Sequence, residues 1–303
     1  METGFETGEP MPNSVSDIEA ATAEDDWRTQ AIPDLSRLRA ELDRIDNTIH
    51  KLLIERSGVV EQVARSGKPA AFRPGREADI VRRLVAQHSG NLSPRTLFRM
   101  WRELLAGTTG MQTKVTVAVC EGGTASVLTP LAREHFGTAT AMRVHTSPAQ
   151  ALNDVSSGLA TVAVLPLPTD ADHTRDDWWA TLGNRIPRLF VIARLPFWAE
   201  GASGAQALVV AATAPDASAA DRSFLVVELD NDVSRDRLSR ILTGAGLSLG
   251  QILLRRDAGT ARALVEVAGF LTDGDPRLVA LGKTVRRPAV LGSYAEPIQG
   301  ETP

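Results

Sequence analysis

The chain has 303 residues, but only one cysteine (Cys120) and one tyrosine, and aromatic residues make up only 5% of it. A single thiol excludes an intramolecular disulfide framework and fits a reducing compartment, which points to the cytoplasm. Set in the apolar run VTVAVC, Cys120 reads as a small buried residue and not as a nucleophile. No apolar run approaches the roughly eighteen residues of a membrane span, so no membrane association is expected. The N-terminus is acidic and carries no apolar segment, so no secretory leader is expected either. What remains is an ordinary globular composition, 43% hydrophobic and 23% charged, in a chain long enough for two or three domains.

Charge is distributed unevenly. Residues 1–34 hold nine acids and one arginine, whereas residues 35–112 hold fourteen Lys or Arg against eight Asp or Glu. The first segment, rich in Gly, Pro and Ser, reads as an unpacked acidic tail. The second is basic, but its cations are mixed with acids and fall partly at core positions. A small anion suits that arrangement better than nucleic acid.

Within the basic segment, Leu35, Leu38, Leu42, Ile45, Ile49, Leu52, Val59 and Val63 recur in steps of three and four, which predicts one long helix over 35–66 with an apolar seam. Asp34 or Ser36 can cap it. At about 1.5 Å per residue it spans roughly 45 Å, too long to bury its seam in a small monomeric domain, so pairing with a second copy is expected. The seam demands an apolar residue at 56 and the sequence supplies Arg56. A guanidinium there calls for an anion, either a carboxylate of a neighbouring helix or a bound ligand.

Gly67, Pro69, Pro74 and Gly75 break the pattern. A second helix is predicted from about Arg76 to His88, with Ile80, Val81, Leu84 and Val85 inward, and Arg76 and Glu77 one turn before them. Ser93-Pro94 opens a third helix to about Gln112, with Leu97, Trp101, Leu104, Leu105 and Thr108 on one face. Arg56, Arg76, Glu77, Thr108 and Gln112 are thereby aimed at a common interior. A core that had only to be stable would gain from apolar residues there, so the convergence points to an anion-binding pocket.

The stretches LRAELDRIDNTIHKLLIERSGVV, RPGRE and MWRELLAGTTGMQ resemble the all-helical chorismate mutases of the AroQ class. That resemblance implies three helices per chain, an intertwined homodimer, and conversion of chorismate to prephenate with neither cofactor nor metal. It implies that Arg56 binds one substrate carboxylate in its own subunit and that Arg39 reaches the partner's site for the other. Arg76 and Glu77 match the Arg-Glu of the second helix, with Glu77 on the ring-hydroxyl side. Thr108 stands in place of the usual serine, and Gln112 in that of the glutamine. Lys68 is the lysine left for the catalytic position, in a connection shorter than the family's. Chemically the residue types fit: arginines clamp carboxylates in bidentate fashion, while Lys68 and Gln112 donate to the ether oxygen as its bond breaks.

From Thr113 the period changes to α/β: VTVAVC and ATVAVLPL read as strands, SVLTPLAREHFG and SPAQALNDVSSG as helices. EGGTAS resembles the opening motif of prephenate dehydratase, and PAVLGSY the end of that family's regulatory ACT domain. The other dehydratase motifs are eroded: Pro166-Leu167-Pro168-Thr169-Asp170 and Pro187-Arg188-Leu189-Phe190 stand where that family has Pro-Ile-Glu-Asn-Ser and Thr-Arg-Phe. Residues 219–298 give a βαββαβ pattern.

The expected organisation is multidomain. An acidic tail (1–34) precedes an all-α mutase domain (35–113), a truncated dehydratase-like α/β remnant (114–218) and an ACT-like domain (219–298) with an amino acid as its possible effector. The expected activity is chorismate mutase; the alternatives are a bifunctional mutase/dehydratase and a non-catalytic chorismate-binding regulator.

Overall fold

A computed structural model of the protein describes residues 34–66, 72–121, 127–170, 177–200, 204–256, 259–282 and 284–300. The acidic tail up to residue 33, Lys68 and the GGTAS portion of EGGTAS lie outside them. The chain divides into two compact units, 1–59 and 60–303, with the division falling inside the first helix.

That helix, α1 (Leu35–Arg65), has the predicted extent. Its start is capped as expected: Asp34 Oδ1 accepts from the Ser36 amide at 3.0 Å, and the Ser36 hydroxyl, foremost, holds the Asp34 carboxyl below its usual pKa. An i,i+3 pair, Arg44 with Glu41 at 2.7 Å, supports the solvent face. No residue of α1 is buried. The eight seam side chains are 39–60% exposed, so the apolar stripe read from the sequence is uncovered in the single chain.

The second unit holds α2 (Pro74–Ala86), α3 (Pro94–Gln112) and a mixed α/β region. In the latter, β1 (Thr116–Cys120), α4 (Leu128–Phe136), β2 (Ala141–His145), α5 (Pro148–Ser156) and β3 (Val162–Pro166) form a parallel β2-β1-β3 group joined by the two helices. A 3₁₀ helix (Trp178–Asn184) follows, then β4 (Phe190–Leu195), the two-residue β5 (Trp198–Ala199) and β6 (Ala207–Ala211). The expected βαββαβ series is present as β7 (Asp221–Leu229), α6 (Arg235–Gly244), β8 (Leu249–Arg256), β9 (Ala261–Ala268), α7 (Pro276–Val279) and β10 (Arg286–Ala295), with a short β11 (Ile298–Gln299) closing the chain. The second helix of that series, α7, is only four residues long and is capped by Asp275.

The expected separation at residue 218 is not a break in the sheet. Among the described residues, nine strands run β2-β1-β3-β6-β4-β10-β7-β9-β8 as one sheet. β10 joins the two parts, pairing antiparallel with β7 and, through Gly292 opposite Val191, parallel with β4. Gly292 has φ +134, and a Cβ there would overlap the Val191 backbone, so this junction requires glycine. A buried network reinforces it: Arg194 of β4 donates to Glu266 of β9 at 2.8 Å, and Tyr294 of β10 donates to the same carboxylate. Burial, then the Glu266 charge, raises the Tyr294 pKa.

The boundary expected at 113 is crossed as well, because α2 and α3 are fastened to the α/β region by polar anchors. Asp216 Oδ1 accepts from the Gly75 amide at 2.9 Å, and Arg82 donates to the carbonyls of Ala220 (2.9 Å) and Glu296. The side of Phe98 on α3 is closed by Phe197 and Trp198, with ring centroids 6.4 and 5.5 Å away. Helix α3 starts as predicted, Ser93 Oγ accepting from the Thr96 amide at 3.1 Å. Leu105 and Thr108 of its expected face are buried, together with Phe98, Arg102 and Thr109, whereas Leu97, Trp101 and Leu104 are only half-buried. Arg102 can join that face because its hydrogen bonds to Glu77 and to the His135 carbonyl offset the cost of burying its charge. Trp178, Trp179 and Cys120 are buried core residues, Cys120 as expected from the sequence.

Candidate functional site

The residues expected to form one pocket meet different surroundings. On α1, Arg39 is exposed and Arg56 half-buried, and desolvation lowers the Arg56 pKa. Even so it stays charged at any physiological pH. On α2, Arg76 is exposed, and its amide contacts Asp216 Oδ2 at 3.2 Å. The expectation that Arg76 and Glu77 share an interior therefore holds for Glu77 alone, because adjacent helical residues diverge by about 100°.

Glu77 is 8% exposed and held by α3. Arg102 Nη1 donates to its Oε2 at 3.1 Å and Thr109 Oγ1 to its Oε1 at 3.2 Å. Arg102, itself 3% exposed, donates through Nε at 3.1 Å and Nη2 at 2.5 Å to the His135 carbonyl. That carbonyl lies in the last turn of α4, where helix carbonyls lack intrahelical partners and a cation is favoured. Thr108 Oγ1 donates back to the Leu104 and Leu105 carbonyls, both at 3.0 Å. Gln112, half-buried, extends its amide toward the Thr108 carbonyl at 3.4 Å. The structure thus brings Glu77 together with Arg102 and Thr109, neither of which the sequence reading singled out. The available signal was the spacing of Arg102 and Thr109, seven residues and two turns apart on one face.

His135 is a further buried titratable group, 6% exposed. Desolvation, then the Arg102 charge, holds its pKa well below 6.5. The folded protein therefore keeps the ring neutral, while the unfolded chain takes up a proton near pH 6.5. The stability contribution is full above that pH and is lost as pH falls, by at most about 1.4 kcal/mol per unit. His135→Gln is expected to flatten the fall in urea-unfolding stability between about pH 6.5 and 5. An identical slope in the variant would refute the assignment.

In the α/β region, both terminal nitrogens of Arg188 are engaged. Its Nη1 donates to Asp273 Oδ2 at 2.6 Å, its Nη2 donates to the Val290 carbonyl at 2.6 Å, and it lies over the Phe190 ring at 4.8 Å. Arg188 in turn lowers the Asp273 pKa.

Residues 38–113 match the family model for chorismate mutase type II. This mutase-type segment takes in most of α1 and all of α2 and α3. Over 156 residues the chain is 24% identical to the bifunctional chorismate mutase/prephenate dehydratase of Pseudomonas aeruginosa, an alignment covering 48% of this chain and 42% of that protein. The protein of the same description from Stutzerimonas stutzeri aligns with the same identity and coverage. The chain thus spans less than half the length of the curated relatives it matches. Among solved structures it is similar to GqqA, described as a novel type of quorum quenching acylase (TM-score 0.48, 17% identity, 59% of this chain and 94% of that one). It is likewise similar to the prephenate dehydratase of Arthrobacter aurescens in complex with L-Phe (TM-score 0.46, 16% identity, 60% and 90%). The chain therefore joins a mutase-type segment to a mixed α/β region. Among the described residues, no helix is long and apolar enough to cross a membrane.

Proposed function

We propose that this chain is a chorismate mutase whose helical segment rearranges chorismate to prephenate. The match of residues 38–113 to the mutase family carries the reading. The reaction moves bonds within one molecule, so the site has to hold a dianion in its compact conformer and stabilise charge growing on the ether oxygen. Arg56 clamps one carboxylate and Arg39 of a second copy the other. Gln112 and Lys68 donate to the ether oxygen, and for Glu77 to reach the ring hydroxyl it has to exchange its contacts with Arg102 and Thr109. The test is to mix the full chain with chorismate and separate the products with time. Prephenate accumulating in proportion to enzyme supports the reading, and chorismate left intact defeats it.

The exposed seam of α1 supports a homodimer in which two such helices meet. Light scattering of the full chain is expected to give twice the chain mass, and Ile49→Glu to give one chain mass with α-helical content retained. A monomeric parent would exclude the intertwined arrangement.

Both curated relatives being bifunctional favours a second reading, in which the same chain also dehydrates prephenate. Two features support a degenerate dehydratase instead: proline at 187 in place of a hydroxyl, and an Arg188 already committed to Asp273 and the Val290 carbonyl. The same product analysis separates the two, since phenylpyruvate formed at neutral pH means that dehydration survives. The βαββαβ portion is the proposed seat of an amino-acid effector.

A further inference from the structure

Both carboxylate oxygens of Glu77 are taken: Arg102 Nη1 donates to Oε2 at 3.1 Å and Thr109 Oγ1 to Oε1 at 3.2 Å. The proposed mutase chemistry asks the same carboxylate to meet the ring hydroxyl of a substrate. A buried carboxylate held in this way cannot serve both sets of partners at once, so turnover has to begin with an exchange. The groups involved lie on α2, α3 and α4, all within the second unit.

Two features of the surroundings decide how that exchange occurs. The first is that α2 itself is held. Asp216 accepts from the Gly75 amide at 2.9 Å, a Cβ on Gly75 would overlap the Asp216 backbone oxygen, and Arg82, about two turns later, donates to the Ala220 carbonyl at 2.9 Å. Glu77 sits between these anchors, so its side chain swings while the helix stays in place. The second is that its partners are provided for when it leaves. Arg102 keeps two bonds to the His135 carbonyl, through Nε and Nη2, and the partial negative charge of the α4 C-terminus favours a cation there. The Thr109 hydroxyl can turn back to a carbonyl of its own helix, as that of Thr108 does. The engaged and the released arrangement are therefore both satisfied, which is what a two-state element requires.

We propose that Arg102 and Thr109 form a latch on Glu77 and so act as positioning residues for the mutase reaction: only molecules in which Glu77 has left them bind chorismate productively. The proposal rests on the mutase reading and adds to it a resting state that the substrate has to open. At saturation the substrate draws every molecule into the released arrangement, so the latch raises KM, the intrinsic value divided by the competent fraction, and leaves kcat alone. Because Arg102 is pinned to α4, the α/β region shares in setting that fraction.

The test measures chorismate turnover by the full chain over a range of substrate concentrations. Thr109→Val removes the hydroxyl that holds Oε1 at nearly unchanged side-chain size, and Thr109→Ser keeps it. Thr109→Val is expected to lower KM about tenfold, the loss of one hydrogen bond to a charged group, with kcat within about twofold of the parent. Thr109→Ser is expected to keep the parent's KM. A merely structural contact gives a different pattern, less folded protein and a lower apparent kcat at unchanged KM. Should Thr109→Val fail to fold, Thr109→Ala carries the same comparison. If the parent converts chorismate and the variant's KM is unchanged or raised, or falls only in step with kcat, the latch is overturned and the mutase reading stands. If the parent leaves chorismate intact, both fall together.

Discussion

Arg56→Ala is expected to lower chorismate turnover by about two to three orders of magnitude, the loss of roughly 3–4 kcal/mol of transition-state stabilisation. A bidentate guanidinium–carboxylate pair is among the strongest polar contacts available to a protein, and alanine supplies nothing in its place. The Arg56 side chain is partly withdrawn from water, which strengthens its attraction for an anion relative to a fully solvated arginine. Arg44→Ala provides the control, since Arg44 lies on the same helix in an exposed pair with Glu41 and is given no role in the proposed site. If turnover survives Arg56→Ala undiminished, the proposed site is wrong; if both variants lose it equally, the helix is being damaged instead.

Arg102→Met carries the largest expected effect on stability, a loss of about 3–5 kcal/mol, because it strands one member of a buried ion pair. Glu77 would remain inside the protein with only Thr109 as partner, and the His135 carbonyl would lose both of its arginine contacts. Glu77→Gln alone leaves Arg102 bonded to that carbonyl and is expected to cost less. Combining the two variants should cost less than the sum of the single losses, with a coupling above about 1 kcal/mol read from urea unfolding. Strict additivity would mean that the 3.1 Å contact contributes nothing specific.

The buried face of α3 shows where sequence pattern gives out. Leu97, Trp101 and Leu104 form a legitimate apolar stripe and are half-buried, yet the deepest face includes Arg102 and Thr109. Hydropathy assigns an arginine to solvent; only a carboxylate from α2 and a carbonyl from α4, distant in sequence, make its burial tolerable. Composition changes at residue 113 and the strand pattern restarts near 219, but Arg82, Asp216 and Gly292 carry the structure across both points.

By itself the sequence determined the elements whose information is local. The length of α1 follows from its seam, the starts of α1 and α3 from Asp34 and Ser93, and the βαββαβ order from alternating strands and turn residues. It also determined that a charge occupies the seam at Arg56. Only the tertiary structure decided that nine strands form one sheet, that Glu77 belongs to Arg102 and Thr109, and that Arg188 is committed to Asp273. Periodicity and capping are properties of neighbours along the chain. The partner of a buried charge is chosen by whichever remote group folding brings within about 3 Å, and no local pattern encodes that choice.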